Sequence, residues 1–78
     1  MSSSDEEHLR RLEAAAEKAY DEMYEAHSPG ACGAYYSEVK ECLYDAIRLA
    51  RQIDREDEAL RLEKRLDHIK AVYRSQMS

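Results

Sequence analysis

The sequence predicts an all-α protein: an antiparallel, up-down-up three-helix bundle, able to dimerise into a larger bundle. Three observations carry that expectation. The single proline, Pro29, and both glycines, Gly30 and Gly33, fall in one short stretch, where they oppose helical geometry. On either side, apolar residues recur at steps of three and four, the period of an amphipathic helix. The apolar stripe of the last third is also out of phase with the stripe before it, so one straight helix cannot serve both.

The first helix is expected over about residues 4–27. Ser4-Asp5-Glu6-Glu7 forms a capping-box pattern, with acids at the positive end of the helix dipole. Leu9, Leu12, Ala16, Ala19, Met23 and Ala26 then make a heptad-like stripe, widened by Ala15 and Tyr20. Pro29 disfavours helical geometry at Ser28 and stops the helix near His27. A loop over 28–33 follows in this reading.

The second helix is expected over about residues 34–53. Its stripe is Tyr36, Val39, Leu43, Ala46, Ala50 and Ile53. Tyr35, Cys42 and Leu49 flank it on one side and Ile47 on the other. A stripe this wide fits a helix that touches two neighbours. Continuing it would place apolar groups at 57, 60, 64 and 67, where Asp57, Leu60, Lys64 and Asp67 stand. The actual stripe, Ala59, Leu62, Leu66, Ile69 and Tyr73, is displaced by two residues, about 200° around a helix. A break near Asp54 resolves the conflict, and one long bent helix is the alternative. Asp54-Arg55-Glu56-Asp57 offers a cap and an acidic first turn for a third helix over about residues 55–75.

Seventy-eight residues make one small domain, with a net charge of −5 and acids and bases interspersed. That balance argues against nucleic acid and anionic membranes, which demand a basic face. No apolar run has the length of a spanning helix, and the acidic start does not read as a signal peptide. Two cysteines, expected as thiols, fit a cytoplasmic protein. The stretch from Glu41 to Arg74 shares the run Ala46-Ile47-Arg48-Leu49-Ala50, an acidic turn and a second amphipathic helix with tetratricopeptide units. It lacks their large aromatic and glycine at the usual spacing and has no second copy, so that family is not assigned.

The chain has six tyrosines and neither Trp nor Phe. Antiparallel folding sets residue j of the second helix opposite roughly 109 minus j of the third, which levels Tyr36 with Tyr73. On the same reasoning Tyr20, Tyr24, Tyr35, Tyr36, Tyr44 and Tyr73 gather toward the Pro29 end. Tyrosine is enriched at contact surfaces, so these six form the candidate interaction surface. The partner is expected to be a protein, including a second copy of the chain as a homodimer.

Cys32 stands just before the second helix, where a thiol can become a reactive thiolate, and His27 lies five residues earlier. The two together define an alternative: a thiol-based redox or metal-responsive protein. Cys42 reads as a packed core thiol. The spacing of His27, Cys32, Cys42 and His68 matches no known ligand pair, so no metal or other cofactor is expected. No phosphate loop, nucleophile triad or buried carboxylate pair is present in the pattern. The expected function is therefore that of a small acidic, non-catalytic interaction module.

Overall fold

The computed structural model describes residues 3–26 and 28–77. It contains three helices in chain order: α1 (Ser3–Glu25), α2 (Pro29–Gln52) and α3 (Glu56–Met77). Packed side by side, they form the all-α three-helix bundle expected from the stripes, with extents of 43 × 19 × 13 Å.

Helix α1 starts one residue before the expected cap, so Ser4 lies inside the first turn. Asp5 and Glu6 still occupy that turn, where the exposed backbone N–H groups favour negative charge. Leu9, Ala16, Ala19, Tyr20 and Met23 are buried, and Leu12 packs partly against them. Ala15 is exposed and does not join the core. The helix ends at Glu25, and His27 lies outside the described residues.

The expected loop over 28–33 is instead the start of α2. Ser28 is extended, with φ −118 and ψ 145, and its hydroxyl accepts a hydrogen bond from the Ala31 N–H at 3.2 Å. Pro29 takes the first helical position. There its missing N–H is no loss and its fixed φ suits the helix. The first helical bond follows from Cys32 N–H to the Ser28 carbonyl, 3.0 Å. The stretch that looked like a long breaker is therefore one cap and one helical turn.

The second break falls at Asp54, as the phase shift required, but Asp54 closes α2 rather than opening α3. Its φ is 60, the left-handed region that normally takes glycine. The Arg55 N–H reaches back to the Ala50 carbonyl at 2.7 Å, and the Asp54 N–H to the Arg51 carbonyl at 3.3 Å. These two bonds make a Schellman closure. The Arg55 carbonyl then accepts from Ala59 N–H at 3.0 Å and begins α3. Asp tolerates a left-handed backbone better than most residues, though at a cost that glycine avoids. Asp54→Gly should therefore gain up to about 1 kcal/mol, and Asp54→Val should lose about 1–2 kcal/mol. Urea midpoints of the two variants check both signs.

Helix α2 is the centre of the bundle. Val39, Leu43, Ala46 and Ala50 are fully buried on it, as are Ala16 on α1 and Ala59, Leu62 and Ile69 on α3. Leu60, next to Ala59 and two residues before Leu62, is 57% exposed, because a step of one or two residues carries it off the buried stripe. Among the described residues, no α-carbon of α1 comes within 8 Å of one in α3. The outer helices lean on α2, and only side chains cross between them.

Candidate interaction surface

The tyrosines divide into two ring pairs and two single rings. Tyr20 and Tyr24, one turn apart on α1, meet edge to face at 5.0 Å, and the Tyr20 hydroxyl donates to the Tyr24 hydroxyl at 3.1 Å. Tyr20 is buried and belongs to the core, whereas Tyr24 is 50% exposed. Desolvation, then the hydrogen bond from its own hydroxyl to Tyr24, pushes the Tyr20 phenol up to about 12. The Arg65 guanidinium lies 5.0 Å from the Tyr20 ring.

Tyr36 and Tyr73 stack across the α2–α3 junction, centroids 3.8 Å apart and planes 10° from parallel. This pairing is the one that the antiparallel level rule required. The Lys40 ammonium sits 4.5 Å from the other partner of the stack, the Tyr36 ring. Gly33 faces the Tyr73 hydroxyl, which a Cβ there would meet at 3.7 Å. Tyr35 is half-buried against the core.

Tyr44 does not join the Pro29 end. With α2 beginning at Pro29, it lies fifteen residues along the helix, about 22 Å from that end. It is 46% exposed, and the Lys70 ammonium donates to its hydroxyl at 2.8 Å. Beside it runs a shallow groove between α2 and α3. Ile47 and Leu66 form its apolar floor, and Arg48, Arg51, Glu63, Asp67 and Lys70 its rim. The rim carries both signs of charge. Arg51 also hydrogen-bonds Glu63 across the groove.

A different set of side chains bridges α1 and α3, and pattern reading missed it. Arg55 pairs with Glu6. Arg61 grips Glu13 with two hydrogen bonds, 2.6 and 2.9 Å. Arg65 grips Glu17 in the same way, 2.9 and 2.6 Å. The sequence separations are 49, 48 and 48 residues, so the ladder marks two parallel helices in fixed register. Forked arginine–carboxylate pairs of this kind are stronger than single contacts.

The hydrogen bond from Arg61 holds the Glu13 carboxyl below the usual carboxylate range, with burial opposing it. A carboxyl with a depressed folded value stabilises the fold above its unfolded value. That contribution disappears as pH falls through the folded value. Stability should therefore decline below about pH 4, and Glu13→Gln should flatten the decline. Urea midpoints measured from neutral to acid pH for both proteins test it; parallel curves would exclude Glu13 as a contributor.

Both cysteines are thiols, half-buried on α2. Ten residues of helix hold them about 15 Å apart, beyond disulfide reach. Burial first, then the acids Glu38, Asp45 and Glu41, pushes the Cys42 thiol above its ordinary range. Cys32 occupies the first turn of α2 and packs partly against the core. His68 is exposed. Among the described residues, no three His, Cys, Asp or Glu side chains cluster as metal ligands, and no helix is long and apolar enough to cross a membrane. Comparisons with protein families, curated proteins and solved structures find no match for this chain.

Proposed function

We propose that this chain is a small, non-catalytic helical interaction module of the cytoplasm that binds protein, its own copies included. The observation that carries the reading is the half-exposed Tyr44 ring beside the Ile47–Leu66 groove. A tyrosine tip over apolar floor, rimmed by polar groups, has the composition of a protein contact site. The mixed rim suits neither a phosphate backbone nor an anionic bilayer, each of which demands one sign of charge. A chain this short also gains from burying apolar surface between copies.

The test is sedimentation equilibrium from micromolar to millimolar protein. The expected result is a mass that rises from one chain toward two. A mass that stays at one chain at millimolar concentration would overturn self-association.

A further inference from the structure

We infer that the α2–α3 groove seats the α2 helix of a second copy, docked antiparallel about a two-fold axis close to Tyr44. The inference rests on the self-association reading above and adds to it the face and the orientation.

The outward ridge of α2 is self-complementary. Glu41, Tyr44 and Arg48 follow one another at helical spacing, and all three are exposed. On this ridge the acid Glu41 lies one turn before Tyr44 and the base Arg48 one turn after it, with Arg51 following, while Glu38 lies toward α1 and the Lys40 ammonium toward the Tyr36 ring of its own copy. A parallel pairing sets acid against acid and base against base. An antiparallel pairing sets Glu41 of each copy beside the arginines of the other, and two-fold symmetry makes every such contact twice.

The groove supplies the rest. Its apolar floor lies next to Tyr44 on the same copy. A two-fold axis near Tyr44 brings the Tyr44 ring of each copy over Ile47 and Leu66 of the other. Burial of those rings supplies affinity, while the charge pattern fixes orientation. The groove rim also holds Glu63 and Asp67 beside its arginines. A uniformly acidic occupant would meet those two carboxylates, whereas a second copy brings bases as well as acids.

Arg51 is already held by Glu63, and the Tyr44 hydroxyl by Lys70, so the Tyr44 ring and Arg48 are the groups left to meet the second copy. Arg48 reaches Asp45 only at 3.9 Å, with both side chains mostly exposed. Pairs of that kind hold their partners weakly.

The experiment compares dimer dissociation constants of the full chain and four variants by sedimentation equilibrium, with circular dichroism to verify helix content. Tyr44→Ala, Glu41→Arg and Arg48→Glu should each raise Kd by about tenfold or more. The double variant Glu41→Arg/Arg48→Glu exchanges the charges on both copies and should return Kd to within about threefold of the original. All three positions are exposed, so the variants keep their fold. A dimer whose Kd ignores the single changes would overturn the groove as the contact while leaving self-association intact. Single changes that weaken, with a double change that weakens further, would overturn the antiparallel orientation. A natural chain that stays monomeric would overturn self-association itself.

Discussion

Cutting Leu43 to alanine should abolish the folded state, or come close to it. Leu43 is fully buried on the central helix and has the largest side chain there that no solvent reaches. Removing its methyl groups costs the transfer free energy plus the cavity left behind, about 2–5 kcal/mol. A single core in a chain of this length seldom supplies more than about 3–5 kcal/mol. The loss is therefore comparable to the whole stability. Leu60→Ala is the matched control, because that leucine is 57% exposed. It should change stability by no more than about 0.5 kcal/mol. Thermal and urea unfolding followed by circular dichroism reads both. A Leu43→Ala protein that melts where the natural chain does would refute the placement of α2.

Enlarging the core should be nearly as damaging as emptying it. Ala16 of α1 and Ala46 of α2 have no exposed surface. Side chains this small leave little room for larger ones where a neighbouring helix covers them. Ala46→Leu adds three carbons to a packed interior and should cost about 1–3 kcal/mol, through forced rotamers and displaced backbone. Ala15→Leu makes the same chemical change at an exposed position of α1, and should stay within about 0.5 kcal/mol of the natural chain. Urea midpoints for the two variants should therefore separate widely. Equal midpoints would mean that Ala46 has room beside it.

The buried faces were legible because helical period is a local signal. A displacement of two residues between the stripes of α2 and α3 located the break at Asp54 without any glycine or proline to mark it. The Tyr36–Tyr73 stack followed from the same arithmetic. Misreadings arose where one residue type serves two roles. Pro29 ends a helix in most contexts, yet at the first helical position it begins one. Treating it as loop shortened α2, and with the helix start misplaced Tyr44 was assigned to the wrong end of the bundle. The arginine ladder was invisible for another reason. Its members stand 48 or 49 residues apart on helices that are not consecutive. Pairing them requires the bundle register, which no local pattern contains. The faint signal was there: Glu6, Glu13 and Glu17 flank the α1 stripe, and Arg61 and Arg65 flank that of α3.

The lack of backbone contact between α1 and α3 shapes how the chain opens. Among the described residues, helices whose α-carbons come within 8 Å are neighbours in sequence, so each helical hairpin closes over a short loop. Such low contact order favours folding in microseconds to milliseconds. It also divides the native state into two cooperative units that share α2. Helix α3 can detach by breaking its own contacts with α2 and the three arginine bridges, leaving the α1–α2 hairpin in place. Amide exchange in α3 would then report a partial opening, while the amides around Leu43 exchange only when the whole molecule unfolds. The central helix is thus the last part of the chain to lose protection, and the face of α2 inferred to meet a second copy lies on that most persistent element.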